Sequence, residues 1–97
     1  MAGLGGIYVE VLKDVAFRTA PVTEAEAGRM LDELKSRALL DGVRGKPPID
    51  RPALTRLISA LSLFGAAAAD RLAEVDLNPV LADAYGSLAV DWLMILQ

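Results

Sequence analysis

The spacing of hydrophobic and polar residues changes along the chain and predicts four successive elements. The stretch 7–12 alternates loosely and is rich in residues that favour strands. A turn at 13–14 and a second strand over 15–18 would complete a hairpin. Apolar residues then recur at helical spacing, which predicts one helix from residue 23 to about 37 and another from 51 to about 71.

Both predicted helices begin with a capping residue. Thr23 is followed three positions later by Glu26, which is a capping box. Asp50 can cap the second helix, whose first turn tolerates Pro52. We interpret the apolar stripes of both helices as core. They contain Ala27, Met30, Leu31, Leu34 and Ala38 in the first helix, and Leu54, Leu57, Ile58, Leu61, Phe64 and Ala68 in the second.

The C-terminal part of the chain predicts a second hairpin with a polar face. Successive side chains of a strand point to opposite faces, so a strand over 74–78 places its oxygen-bearing side chains together. These side chains are Glu74, Asp76 and Asn78. Pro79 lacks a backbone donor, so the strand ladder is interrupted there. The apolar run 88–93 carries a lone carboxylate, Asp91, which is costly to bury without a cation or donors beside it.

The order hairpin, helix, helix, hairpin predicts an α+β fold, with two helices packed on a mainly antiparallel sheet. The chain has 97 residues, which make one small domain or part of one. A free-standing domain of this size buries roughly 60–65% of its unfolded surface, which is enough for a core.

The composition excludes several kinds of chemistry. The chain has no Cys and no His, so it holds no disulfide, no thiolate metal site and no phosphohistidine of its own. A net charge of −3 argues against general nucleic-acid binding. The uncharged run 57–69 is short for a membrane span, and no charged region followed by an apolar one begins the chain. We therefore expect a cytoplasmic protein without nucleic-acid or membrane partners.

Charge is distributed unevenly. After Arg71 the chain has only acidic charges, which suits a cation. The loop 39–49 instead carries Arg44 and Lys46 among Gly and Pro residues. A basic residue flanked by Gly can present its side chain and nearby backbone donors to an anion, but a solvated surface loop explains the same pattern equally well.

Three stretches, in the same order, resemble one family. They are GLGGIYVEVLKDVAFR at 3–18, LLDGVRGKPP at 39–48, and EVDLNP at 74–79 followed by Asp91. They resemble the C-terminal half of the ATP-grasp domain in NDP-forming acyl-CoA synthetases, which are relatives of the succinyl-CoA synthetase β chain. The resemblance implies that residues 1–97 are a single, partial ATP-grasp domain.

The resemblance also implies phosphoryl transfer with ATP/ADP and Mg²⁺. Mg²⁺ takes one or two carboxylates together with phosphate oxygens and water. By resemblance Asn78 and Asp91 are the metal ligands, and Glu74 and Asp76 are further candidates that a solvated strand face would also explain. The candidate nucleotide-binding residues are Glu10, as a metal or ribose contact, and Arg44.

The family implies partners for this chain. The N-terminal ATP-grasp half, a CoA-binding domain and a phosphohistidine domain would have to act in cis or in trans, and we expect no ligase activity from the isolated chain. A non-catalytic binding or assembly module that retains the fold is the alternative. We expect a homo-oligomer, because the apolar run 92–96 would be a template for pairing as an exposed edge strand; the alternative is a buried central strand and a monomer.

Overall fold

The computed structural model describes residues 1–3, 14–42 and 45–97. The predicted strand 7–12 and the candidates Glu10 and Arg44 lie outside the described residues. The elements are β1 (Ala2–Gly3), β2 (Val15–Ala16), α1 (Glu24–Glu33), α2 (Arg37–Leu40), α3 (Arg51–Ala67), β3 (Leu72–Leu77), β4 (Val80–Asp83), β5 (Gly86–Ala89) and β6 (Trp92–Leu96). All strand pairs among the described residues are antiparallel, and the predicted α+β class is confirmed.

The first helix begins as predicted but ends earlier. The Oγ1 atom of Thr23 accepts a hydrogen bond from the Glu26 amide at 3.1 Å, which confirms the cap. Leu34 then adopts extended backbone, with φ −67° and ψ 135°, so α1 stops at Glu33 rather than near residue 37. A single turn, α2, follows.

A buried carboxylate explains this early end. Asp14, which the sequence places in a turn, accepts hydrogen bonds from the Lys35 amide at 2.7 Å and the Ser36 amide at 2.9 Å. These two amides follow α1 and are satisfied by a side chain from the start of β2 instead of by helix carbonyls. Hydrogen bonding from Ser36, and next from the Lys35 amide, lowers the pKa of the Asp14 carboxyl.

An ion-pair network joins the end of β2 to α1. The Arg18 guanidinium contacts the carboxylates of both Glu26 and Glu33, and Arg29 also contacts Glu26. The hydrogen bonds from Arg18 lower the pKa values of both glutamates, and those same bonds raise the pKa of Arg18. Together with Asp14, this network fixes the β2 strand on the helices.

The core lies between α1, β2 and one face of α3. Its buried apolar members are Ala16, Val22, Ala27, Met30, Leu31 and Leu34. Ala38, which the helical stripe placed in the core, is exposed. The fully buried residues of α3 are polar, namely Thr55 and Ser59, whereas the predicted Leu54 and Ile58 are half-buried and pack against this core. Ser59 Oγ donates to the Val22 carbonyl at 2.8 Å, so the buried hydroxyl is satisfied.

The helix α3, which is the second of the two predicted helices, begins at its predicted cap and ends at Ala67 rather than near residue 71. The Ala53 amide donates to Asp50 Oδ1 at 3.0 Å. Leu54, Leu57, Ile58 and Leu61 of this helix are half-buried and line a cavity of about 520 Å³, whereas Leu63 and Phe64 are exposed. No helix in the described part of the chain has both the length and the apolar composition of a membrane span.

The strands β3 to β6 form one long hairpin. β3 pairs with β6, β4 pairs with β5, and the turn between β4 and β5 is held by the Tyr85 amide, which donates to Asp83 Oδ1 at 2.8 Å. The Gln97 amide donates to the Arg71 carbonyl at 3.0 Å and closes the base of the hairpin.

All five residues of β6 are exposed. The interpretation of 92–96 as a buried central strand is therefore wrong. Within the described residues no helix buries β6, because α3 packs its small polar face on α1 and its aliphatic stripe lines the cavity.

Candidate metal and nucleotide site

The candidate site lies where the long hairpin is interrupted. The last pairs on either side of the break are Leu77 with Trp92 and Val80 with Ala89. Two residues on each side of the hairpin lie between these pairs. The same register therefore puts Asn78 opposite Asp91 and Pro79 opposite Val90. The Asn78 amide donates to the Asp91 carbonyl at 3.3 Å, and the Val90 amide donates to the Pro79 carbonyl at 3.0 Å. Asn78 and Asp91 are thus brought together by backbone hydrogen bonds, although they lie 13 positions apart in sequence.

Both side chains are exposed, which differs from the buried environment that the apolar run around Asp91 suggested. Asp91 lies in the break between β5 and β6, so its carboxylate carries no burial cost there. Its Oδ1 atom accepts a hydrogen bond from the Trp92 amide at 2.8 Å, which fixes the orientation of the carboxylate. Residues directly opposite each other in an antiparallel pair share a face. The register therefore offers one neutral and one anionic oxygen ligand side by side.

Glu74 and Asp76 lie further along β3 and are both exposed, while the intervening Val75 and Leu77 are half-buried. The predicted alternation of polar and apolar faces is therefore confirmed. A strand rises about 3.3 Å per residue, which places Asp76 about 7 Å and Glu74 about 13 Å from Asn78 along the strand. This spacing favours Asp76 over Glu74 as a neighbour of an ion held by Asn78.

Within residues 1–3, 14–42 and 45–97, no three Asp, Glu, His or Cys side chains are grouped closely enough to hold a metal ion. Asn78 and Asp91 are therefore a sparse ligand pair. Such a pair suits Mg²⁺ that receives its remaining ligands from phosphate oxygens and water.

The cavity between the hairpin and the helices adjoins this pair. Asp76, Asn78 and Pro79 line it from the hairpin, and aliphatic side chains of α3, among them Leu57 and Leu61, line it from the other side. Its volume of about 520 Å³ falls within the range of small-molecule pockets, and such pockets are mostly apolar with a few placed polar groups.

The predicted anion-binding loop is described only in part. Gly42 and Gly45 have left-handed backbone, with φ of +92° and +78°, so both positions favour glycine. A Cβ atom on Gly42 would lie 2.5 Å from the Lys46 carbonyl oxygen, which leaves no space for a side chain. Lys46 is exposed.

One link between the loop and the hairpin was not predicted from the sequence. The Asp50 amide, at the end of the loop, donates to the Asp83 carbonyl at the end of β4, at 2.7 Å. This bond fixes the start of α3 to the hairpin. Because it joins two backbone groups, neither side chain gives a signal for it in the sequence.

Comparison with known proteins identifies relatives of the whole chain. A family model described as an ATP-grasp domain matches residues 1–96. The β subunit of the ADP-forming acetate–CoA ligase I from Pyrococcus furiosus is 43% identical over 96 residues, which are 99% of this chain and 41% of that subunit. The ADP-forming acetate–CoA ligase I from Archaeoglobus fulgidus is 45% identical over 96 residues, which are 99% of this chain and 14% of that protein.

A solved structure shares the fold. The acetyl-coenzyme A synthetase 1 of Ca. Korarchaeum cryptofilum superposes with a TM-score of 0.92 at 41% identity. The superposition covers 98% of this chain and 44% of that one. That protein is in complex with coenzyme A and Mg-AMPPCP, with a phosphohistidine segment pointing towards its nucleotide-binding site. The chain therefore spans less than half the length of these relatives.

Proposed function

Because the chain belongs to the ATP-grasp family, we propose that it supplies the Mg²⁺–nucleotide half-site of an ADP-forming acyl-CoA synthetase. Such an acid–thiol ligase interconverts ATP, a carboxylic acid and CoA with ADP, phosphate and an acyl-CoA. One observation of this chain carries the proposal: Asn78 and Asp91 lie opposite each other at the break of the hairpin and offer adjacent oxygen ligands.

Phosphoryl transfer depends mainly on positioning and on neutralising the charge of the phosphates. A bound Mg²⁺ would supply that neutralisation. The chain holds its two ligands at a fixed separation through the backbone bond between Asn78 and Asp91. The Trp92 amide fixes one carboxylate oxygen of Asp91, and the other oxygen is then presented in a defined direction.

Four further residues complete the proposed site. Asp76 is a ligand of the same ion or of a water bound to it, and Glu74 is an outer contact because of its distance along β3. By family resemblance, Glu10 and Arg44 contact the nucleotide. Arg44 belongs to the loop whose end is bonded to the hairpin through Asp50.

The proposed reaction needs other segments. The chain has no His, so a phosphohistidine must be carried elsewhere, and the relatives are more than twice its length. We propose that the other ATP-grasp half and the CoA-binding and phosphohistidine domains act with it in cis or in trans, in the cytoplasm. In this account residues 1–97 are a partial ATP-grasp domain and are inactive alone.

The exposed strand β6 favours one second candidate, a non-catalytic assembly module that retains the fold. The two functions differ in what the Asn78–Asp91 pair must do, because only the ligase requires the pair to hold an ion.

A chimera tests the proposal. The 96 residues of the Pyrococcus furiosus β subunit that match this chain are replaced by it, and formation of acyl-CoA from ATP, acetate and CoA is measured. We expect an active chimera, and we expect Asp91→Asn to lower activity by about 100-fold or more, because a metal ion contributes several kcal/mol of charge stabilisation.

Asp83→Asn is the matched control. It makes the same chemical change at another exposed position of the hairpin, and an amide oxygen can still accept from the Tyr85 amide. An active chimera that responds equally to both substitutions would contradict the assignment of the site. A folded chimera without activity would favour the assembly module.

A further inference from the structure

The long hairpin is attached to both ends of α3 by backbone hydrogen bonds. At its base, the Gln97 amide donates to the Arg71 carbonyl at 3.0 Å, shortly after α3 ends. At its other end, the Asp83 carbonyl accepts from the Asp50 amide at 2.7 Å, directly before α3 begins. The break that carries the candidate metal ligands lies between these two attachments.

The Asp50 amide is the polar attachment of this middle part of the hairpin. Among the described residues, no other hydrogen bond or ion pair joins residues 78–91 to a helix, although β5 also lies against α3. We propose that Asp50 is a positioning residue, whose amide holds Asn78 and Asp91 in a fixed place relative to the helices. This inference rests on the proposed Mg²⁺–nucleotide site and assigns a residue that controls it.

Asp50 is itself fixed by bonds to both long helices. Its Oδ1 atom accepts from the Ala53 amide at 3.0 Å in the first turn of α3. The next residue, Arg51, donates to the Gly28 carbonyl at 3.2 Å and to the Asp32 carboxylate at 2.8 Å, both in α1. The Asp50 amide therefore belongs to a rigid junction of α1 and α3, and the hairpin is bonded to that junction.

The charges on the two sides of this bond suit one ligand. After residue 71 the hairpin has only acidic charges, whereas Lys46, four positions before Asp50, is basic and exposed. The Ile49 amide donates to the Leu40 carbonyl at 3.0 Å, which fixes the segment that leads from Lys46 into Asp50. A phosphate group bound to Mg²⁺ presents a cation to the hairpin and anionic oxygens to a lysine. A Mg²⁺–nucleoside polyphosphate can therefore contact both sides when their separation is fixed.

The size of the effect follows from the loss of one backbone bond. Without the amide, the hairpin would occupy its binding position only part of the time, and apparent affinity falls by that fraction. One net backbone hydrogen bond corresponds to a change of about fivefold, or about 1 kcal/mol. The internal geometry of Asn78 and Asp91 is preserved, because their own backbone bond lies within the hairpin.

Two substitutions of Asp50 separate its amide from its side chain. Asp50→Ala and Asp50→Pro both lose the cap of α3, but only proline lacks the amide. The φ of Asp50 is −76°, which lies within the range of proline, about −65 ± 15°. By calorimetric titration we expect the Kd for Mg²⁺–ATP to be about fivefold higher in Asp50→Pro than in Asp50→Ala, with unchanged helical circular dichroism as the check on folding. Thr23→Ala removes the cap of α1 and should lower Tm without changing this Kd.

Hydrogen exchange of the Asp50 amide tests the same bond in the unsubstituted chain. Coupling between two equilibria is reciprocal, so bound Mg²⁺–ATP must slow the exchange of an amide whose bond favours its binding. The Lys35 amide, which is bonded to Asp14, is the control for stabilisation of the whole fold. We expect Mg²⁺–ATP to slow the Asp50 amide about fivefold more than the Lys35 amide.

Three results would overturn the proposal. They are an Asp50 amide that exchanges as fast as an unbonded loop amide in the absence of ligand, equal slowing of the Asp50 and Lys35 amides by bound Mg²⁺–ATP, and equal Kd values for Asp50→Pro and Asp50→Ala. Failure of the parent chain to bind Mg²⁺–ATP would instead contradict the proposed function, on which the inference rests. Fast exchange without ligand contradicts the attachment alone, so the two failures are distinguishable.

Discussion

Replacing Gly28 by Ala should stabilise the chain by about 1 kcal/mol. Gly28 lies in the interior of α1, where glycine costs about 0.8–1.0 kcal/mol relative to alanine. A Cβ atom built at this position lies 3.9 Å from Thr55 Cγ2, an ordinary van der Waals distance, so the methyl group fits between α1 and α3. The gain in helix propensity is therefore not offset by strain.

Two other glycines provide matched controls with the opposite sign. Gly45 has φ +78°, and no atom of the described residues lies within 4 Å of a built Cβ, so we expect Gly45→Ala to cost only the left-handed backbone, about 1–2 kcal/mol. Gly42 has φ +92°, and its built Cβ lies 2.5 Å from the Lys46 carbonyl oxygen. Gly42→Ala adds a steric clash to the same backbone cost and should be the most destabilising of the three.

Thermal unfolding followed by circular dichroism measures all three variants. A change of 1 kcal/mol shifts the Tm of a domain of this size by roughly 4–8 °C. The expected order of Tm is Gly28→Ala above the parent, then Gly45→Ala, then Gly42→Ala. A loss of stability in Gly28→Ala would mean that α1 and α3 approach more closely than the structure shows. Equal losses in Gly42→Ala and Gly45→Ala would contradict the clash at Lys46.

Three further predictions follow from the core, the buried carboxylate and the composition. Leu31→Ala should lower the free energy of unfolding in urea by about 2–5 kcal/mol because Leu31 is 3% exposed, whereas Leu39→Ala, at a residue that is 47% exposed, should lower it much less. Similar losses in the two variants would refute the described core. Hydrogen bonding lowers the pKa of Asp14 below its ordinary 3.8, so the stability that its carboxylate contributes is complete above that pH and is lost as the pH falls further. Asp14→Asn should therefore make Tm depend less on pH in acid, and an unchanged dependence would refute the contribution of Asp14. The purified 97-residue chain should form no acyl-CoA from ATP, acetate and CoA in a coupled assay, and turnover would contradict the need for further segments.

Local signals in the sequence predicted much of this fold. The capping residues Thr23 and Asp50 located the start of both long helices because a cap depends on residues only three positions away. The alternation in 74–78 predicted the faces of β3, and Pro79 predicted the interruption of the ladder. Three motifs predicted the family, which the match over residues 1–96 confirms.

The errors came from contacts between residues distant in sequence. The end of α1 depends on Asp14, which lies 21 positions before Lys35, so no local pattern shows it. The face of α3 that is buried on α1 contains Thr55 and Ser59, because small side chains let the helices approach and Val22 accepts the Ser59 hydroxyl. Hydrophobic periodicity instead selected the aliphatic stripe, which lines the cavity and contributes Leu54 and Ile58 as half-buried neighbours of the core.

The candidate site was predictable as a set of residues but not as a geometry. The motif around Asn78 and the lone Asp91 gave the two positions. That they lie directly opposite each other depends on the register, which passes unchanged from the β4–β5 ladder to the β3–β6 ladder across the break. A shift by one residue would have placed Asp91 on the other face.

Binding of Mn²⁺ to the chain, followed by NMR with and without ATP, tests whether Asn78 and Asp91 hold the ion. Mn²⁺ broadens the resonances of nearby nuclei, so the affected amides report where the ion lies. We expect strong broadening around Asn78 and Asp91 that increases with ATP and is lost in Asp91→Asn but retained in Asp83→Asn. Broadening centred elsewhere, or broadening that survives in Asp91→Asn, would contradict it.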